Sequence, residues 1–258
     1  MAKGIRRHLL IPDLHYPFHC PKFVELMTKI IWSHRFSSVT QLGDAVDFYQ
    51  ISRFSKEVSR KSTASQDLKQ YRAQMYKWQT ALLSRNPKAV WNQLEGNHEQ
   101  RLQRFMNDNP KVEGFIRTVP EILGIDAPEY RRTPMETNWH PLNVWNSLVI
   151  GDCVIHHGEA FGKHVAVMNC AIYGGMTEYR GFIQGHTHRL QKAHEGPNWS
   201  ATIGHGTVAT KTMHLNKPTN WVQAFGILNE DIKTGKTHLS VHTVNDGSTI
   251  IDGGKCEV

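Results

Sequence analysis

The chain has 258 residues, 39% of them hydrophobic and 21% charged, with 30 Lys and Arg against 23 Asp and Glu for a net charge of +7. That composition excludes a disordered or fibrous chain, and at this length a core forms without disulfides or structural metal. No run reaches the ~20 apolar residues of a membrane helix, and the segment from Met1 to His8 lacks a signal-peptide core, so a single domain over residues 1–258 in the cytoplasm is expected.

In chain order, Leu9-Leu10-Ile11 reads as a strand ending at Asp13, and Pro21 to His34 as a helix with Pro in its first turn and Phe23, Leu26, Met27, Ile30 and Ile31 on one face. Ser38 to Leu42 is a second strand, delivering Gly43-Asp44. Leu68, Tyr71, Met75, Trp78 and Leu82 form the apolar stripe of a second helix, a lid or flank, and Ala89 to Leu94 a third strand ending at Glu95-Gly96-Asn97-His98. Asp126 to Asn146, with three prolines, is expected to be a loop over one edge. Beyond it short strands follow at Leu148–Ile150, Cys153–His156, Gly181–Gln184, Gln223–Leu228 and His238–Val244, with one helix over Ala160–Tyr173. The order implies an α/β fold in which two mixed sheets pack as a sandwich with helices outside.

Charge is concentrated. Nine basic residues (Arg53, Lys56, Arg60, Lys61, Lys69, Arg72, Lys77, Arg85, Lys88) stand against Glu57 and Asp67, making a basic helical insertion at about 53–88. Two readings stay open for it: a footprint for phosphate-rich ligands, or a solvated helix face. The four cysteines (Cys20, Cys153, Cys170, Cys256) are scattered without CxxC pairing and fit reduced thiols.

Five clusters stand at predicted strand ends: Asp13-Leu14-His15, Gly43-Asp44-Ala45-Val46-Asp47, Gly96-Asn97-His98-Glu99, His156-His157-Gly158 and Gly185-His186-Thr187-His188. Residues at i and i+2 point the same way from extended chain, so each pair can close on one ion. The carboxylate, amide and imidazole mixture suits Mn²⁺, Fe, Ni²⁺ or Zn²⁺ better than Ca²⁺, and the clusters supply the about seven or eight ligands that two ions need. His156 and His157 point to opposite faces, and His157 is the chosen ligand. The other histidines, His205 among them, have no partner at ligand spacing, and Trp139, Trp145, Trp199 and Trp221 are read as packing residues, with base stacking as the alternative.

The series D-x-H, G-D-x-x-D, G-N-H-E, H-G, G-H-x-H over Asp13 to His188 resembles the calcineurin-like metallophosphoesterase superfamily. With Phe48-Tyr49, Ser52-Arg53-Phe54, Gln100-Arg101-Leu102 and Asn220-Trp221 it is similar to the branch carried by bacteriophages and prophages. The resemblance implies a four-layer αββα fold and a phosphoric ester hydrolase in a bacterial or phage-infected cytosol. It implies two divalent ions, Mn²⁺ first: Asp13, His15, Asp44 and His188 at one, and Asn97, His157 and His186 at the other, with Asp44 bridging. It casts His98 as the residue that protonates or stabilises the leaving oxygen and Asp47 as its orienter. Arg101, one turn beyond, is a candidate to bind a substrate phosphate, with an exposed helix arginine as the alternative reading. Two cations about 3.5–4 Å apart lower the pKa of water and offset charge on phosphorus oxygens. Because Asp47 is followed by Phe48-Tyr49 instead of Arg-Gly, a phosphoprotein substrate is not expected. The expected substrate is a phosphodiester of nucleic acid or a nucleotide; the alternatives are a small phosphomonoester, or a non-catalytic nucleic-acid-binding protein of the same fold.

Overall fold

The computed structural model describes residues 4–53, 62–112, 114–126, 133–143, 146–174, 178–212 and 220–258. Lys56, Glu57, Arg60 and Lys61 of the basic block, and Phe54 and Trp145, lie outside the described residues.

The first sheet begins with β1 (Ile5–Ile11), β2 (Ser38–Gln41), β3 (Val90–Leu94) and β4 (Glu136–His140), all parallel neighbours in that order. The chain returns late with β10 (Ala224–Asp231), antiparallel to β1, and β11 (Thr237–Thr243), antiparallel to β10. The second sheet runs β5 (Leu148–Ile150), β6 (Cys153–His156), β7 (Gly181–Gln184), β9 (Asn198–Ile203), β8 (Leu190–Glu195), with β6, β7 and β9 parallel at its centre. Both sheets are mixed.

Alternation along the strands builds two apolar layers. In β1, Leu9 and Ile11 join the cluster under the helices while Leu10 joins Leu42, Leu94, Ile155, Ile183, Ile203 and Leu228 between the sheets. Outside the first sheet lie α1 (Pro21–Ser33) and α2 (Ala64–Arg85). Outside the second lies α5 (Val165–Gly174), packed on β7, β8 and β9. The layers are therefore helix, sheet, sheet, helix. Each fully buried large aliphatic or aromatic side chain contributes about 1.5–3 kcal/mol. Trp78 of α2 and Trp91 of β3, both fully buried, anchor the outer layer with stacked rings 6.2 Å apart.

Helix α2 is the crossover between β2 and β3 and lies flat on α1. It starts at a capping box of Thr63 and Gln66. Near that end Gln50 donates to Asp67 (2.8 Å). At the other end Asn86 donates to Phe36 O (2.8 Å), just before β2 begins. Arg85 and Lys88 thus sit at the N-terminal edge of the sheet, the opposite edge from the strand ends that carry Asp13, Asp44 and Asn97.

The expected loop over Asp126 to Asn146 contains β4, an edge strand paired in parallel with β3. Strands β8 and β9, and a C-terminal hairpin of β12 (Ser248–Ile251) and β13 (Gly254–Glu257), were not expected either. Helix α5 begins at Val165 instead of Ala160. Among the described residues no helix is long and apolar enough to cross a membrane.

Candidate metal centre

Asp13, Asp44 and Asn97 follow the C-terminal ends of β1, β2 and β3; His157 follows β6, and His186 and His188 follow β7. The two sheets present these ends side by side, so all seven expected ligands converge. His188 Nε2 is 3.4 Å from Asp13 Oδ2 and 3.0 Å from His15 Nε2, and His15 Nε2 is 3.6 Å from Asp44 Oδ2. On the other side of Asp44, His157 Nε2 is 3.4 Å from Oδ2 and 3.1 Å from Asn97 Oδ1, which lies 2.7 Å from His186 Nδ1.

Hydrogen-bond roles turn these distances into chemistry. The Leu42 carbonyl, 2.8 Å from His157 Nδ1, can only accept, so Nδ1 donates there and Nε2 is left facing the oxygens Asn97 Oδ1 and Asp44 Oδ2, where either a proton or a cation would join them. Likewise Asp47 Oδ2, 3.2 Å from His15 Nδ1, leaves His15 Nε2 as a lone pair facing His188 Nε2. Asp13 is fully buried and neither of its carboxylate oxygens has a hydrogen-bond partner among the described residues; the same holds for His188 Nδ1. Acceptors turned on one another in a buried pocket are stable only with a proton or a cation among them. Burial, reinforced by the charge of Asp44 and opposed by His157, pushes the Asp13 carboxyl up to about 8. Burial acts the other way on His157, but Asp44 and Asp13 outweigh it and raise the imidazole to about 10. The donor set fits divalent cations: two groups of converging ligand atoms, one with His15 and Asp44 and one with Asp44, His157 and His186, share Asp44.

His98 also reaches the first of those groups. Its Nδ1 lies 3.0 Å from Asp47 O and 3.2 Å from Asp47 Oδ2, and its Nε2 accepts from Arg101 Nη2 at 3.0 Å. That lone pair is engaged, which separates His98 from the unpaired imidazoles. Arg101 is not an exposed helix arginine: it is largely buried on α3 (Gln100–Asp108) and also donates to Asp47 O (2.7 Å). Burial raises the Asp47 carboxyl, yet its bonds to His15 and His98 dominate and hold it well below the usual range.

Backbone geometry makes the crowding possible. His15, Asp44, His186 and His188 all have positive φ, between 49° and 63°, in the left-handed region that side chains other than glycine disfavour. A Cβ on Gly96 would stand 2.1 Å from Asp44 Oδ1 and 2.3 Å from Asp44 N, so only glycine lets these two loops meet.

Sequence reasoning passed over Glu99. It is fully buried; Oε2 accepts from Asp44 N and Gly96 N (both 2.9 Å) and Oε1 from Val46 N (3.1 Å), clamping the loop of Asp44 to the loop of Asn97. The signal was present, because two turns of unpaired N–H groups beside an acidic residue call for a carboxylate acceptor. His205, set aside on spacing, is buried with its ring 5.2 Å from that of His188, and Trp221 meets the same ring edge-on at 4.3 Å. As alternation requires, His156 turns away, toward Tyr173.

The chain has no match among protein-family models or curated proteins. Solved structures similar to it include Vacuolar Protein Sorting 29 from Cryptosporidium parvum, at 13% identity over 99% of this chain and 100% of that one, TM-score 0.48. A novel archaeal phosphodiesterase is similar at 16% identity over 91% of this chain and 99% of that one, TM-score 0.42. A predicted phosphoesterase from Streptococcus pneumoniae is similar at 11% identity over 100% of this chain and 99% of that one, TM-score 0.43.

Proposed function

We propose that this chain is a metal-dependent phosphoesterase that hydrolyses phosphodiesters of nucleic acids or nucleotides. The observation that carries the reading is the pair of lone-pair convergences sharing Asp44, one of them containing a fully buried carboxylate with both oxygens unpaired. Asp13, His15, Asp44 and His188 would hold one divalent ion and Asp44, Asn97, His157 and His186 a second. The mixed donor set favours Mn²⁺, with Fe, Ni²⁺ or Zn²⁺ as alternatives. Bound there, the ions would supply Lewis acidity and activated water for in-line attack on phosphorus.

The chain's own residues do the rest. Attack breaks the bond between phosphorus and the leaving oxygen, and that oxygen must be stabilised and take up a proton. His98 stands beside Asn97 with its Nδ1 held by Asp47 and its Nε2 accepting from the Arg101 guanidinium, so the charge of Arg101 backs the imidazole that would stabilise the leaving oxygen. The order of five motifs supports the same reading by resemblance to the calcineurin-like metallophosphoesterases.

The test is hydrolysis of bis(p-nitrophenyl) phosphate beside p-nitrophenyl phosphate by chelated protein restored with Mn²⁺, Ni²⁺, Zn²⁺ or Mg²⁺, with Asp44→Asn as control. Metal-dependent cleavage of the diester, lost in the control, is expected. Cleavage of the monoester alone would replace the reading with a phosphatase; metal binding with neither activity would replace it with a binding protein.

A further inference from the structure

Beside the centre, on the flank of Asn97 that carries His98, an open pocket of about 360 Å³ is lined by Arg53, Asn97, Arg101, Arg104, Phe105 and Asp108, within the roughly 300–1,000 Å³ of ligand pockets. Arg101, Arg104 and Phe105 fall at i, i+3 and i+4 of α3 and so share one face. Three guanidinium groups meet one carboxylate. Arg101 is turned inward to Asp47 and His98. Arg104 bonds to Gln100 Oε1 through one nitrogen (3.1 Å), and Arg53 pairs with Asp108 at the exposed rim (3.0 Å). Each guanidinium has five N–H groups, so both keep donors for an anion.

The sequence also locates positive charge on α2, but three of its cations are placed elsewhere. Its Arg72 donates to Ile122 O, Lys77 and Arg85 are exposed on the outer face, and Arg85 lies at the far edge of the sheet. Among the described residues, the α3 pocket is a basic surface that includes a residue of the centre, Asn97. An alcohol that ends at its own leaving oxygen is uncharged and gains nothing from arginines there. A leaving group that carries the next phosphate of a strand does gain.

We infer that this pocket binds the backbone phosphate on the leaving-group side of the scissile bond, so that the substrate is a polynucleotide strand and the departing strand is held by Arg104 and Arg53, with Phe105 offering an apolar face to its sugar or base. The inference rests on the proposed phosphodiesterase reading and names the substrate of that same centre.

The experiment uses the full chain and a fluorescent single-stranded DNA oligonucleotide. Anisotropy in EDTA reads binding without cleavage; turnover with Mn²⁺ reads the ratio of oligonucleotide to bis(p-nitrophenyl) phosphate hydrolysis. Arg104→Gln is expected to weaken oligonucleotide binding by about tenfold and lower that ratio, and to make the slope of log affinity against log salt shallower by about 0.7. Asp108→Asn, which frees Arg53, is expected to tighten binding, a change of opposite sign that mere loss of structure would not produce. Lys77→Gln on α2 is expected to change neither. Equal effects of Arg104→Gln and Lys77→Gln, or an unchanged ratio and slope, would overturn the inference. Absence of all hydrolysis with binding and slopes as expected would instead overturn the phosphodiesterase reading.

Discussion

His15 and His98 meet edge to face across a shared carboxylate: their ring centroids are 4.3 Å apart at 83°, and Asp47 Oδ2 lies 3.2 Å from the Nδ1 of each. One buried side chain therefore orients both an expected metal ligand and the residue placed at the leaving oxygen, and fixes the tautomer of both.

That sharing separates two substitutions. His98→Ala removes the residue proposed to serve the leaving oxygen, whose Nε2 is already engaged by Arg101, so kcat for bis(p-nitrophenyl) phosphate should fall by about 10²–10⁴-fold with bound metal unchanged. Asp47→Ala should lower both, because His15 loses its orienter as well. Metal content by elemental analysis, beside the rates, distinguishes the two; parallel loss of metal in His98→Ala would show that His98 is itself a ligand.

Metal should stabilise the fold. The native state gathers buried acceptors that the unfolded chain disperses, so cations bind the native state preferentially. Mn²⁺ at 100 times its dissociation constant should add about 2.7 kcal/mol to unfolding free energy. A thermal melt with and without chelator measures this, and Asp44→Asn, which alters the shared ligand, should abolish most of the increment.

Glu99→Gln probes the clamp between loops. An amide nitrogen would have to face at least one of the N–H groups of Asp44, Gly96 and Val46, donor against donor, at a cost of about 1–3 kcal/mol. Urea denaturation should show that loss together with weaker metal binding. A variant that is destabilised yet binds metal with wild-type affinity would mean that the clamp does not set the spacing of the two loops.

Thr28→Val tests the helical layer away from the centre. Thr28 Oγ1 accepts from Trp78 Nε1 (2.8 Å) and Gln74 Nε2 (3.2 Å) between α1 and α2. Without it a buried indole N–H is unpaired, costing about 1–3 kcal/mol. Unfolding midpoints should shift while kcat/KM stays the same.

The converging residues were legible because each follows an apolar strand whose end is marked by glycine, proline or acid, and because strand ends of parallel sheets meet. Other parts were hidden for identifiable reasons. Strand β4 reads Glu136-Thr137-Asn138-Trp139-His140; as an edge strand it buries none of these fully, so it lacks the apolar signal and is held by its pairing to β3. Strand β9 buries Ser200 and Thr202, whose hydroxyls bond to Ala166 O and Arg189 O, so polar residues occupy positions where alternation looks for apolar ones. Charge was misleading in another way. Summing it along the chain found the block from Arg53 to Lys88, while the pocket beside the centre takes Arg53 from that block and Arg101 and Arg104 from α3, which assemble only in space.

The left-handed backbone of His15, Asp44, His186 and His188 sets a limit on how this protein can change. Each such residue costs on the order of 1–3 kcal/mol, a sizeable fraction of the ~5–15 kcal/mol by which domains are stable. Glycine at any of these four positions would relieve the backbone and remove a side chain of the centre in the same step. Backbone ease and the proposed chemistry therefore pull these four positions in opposite directions.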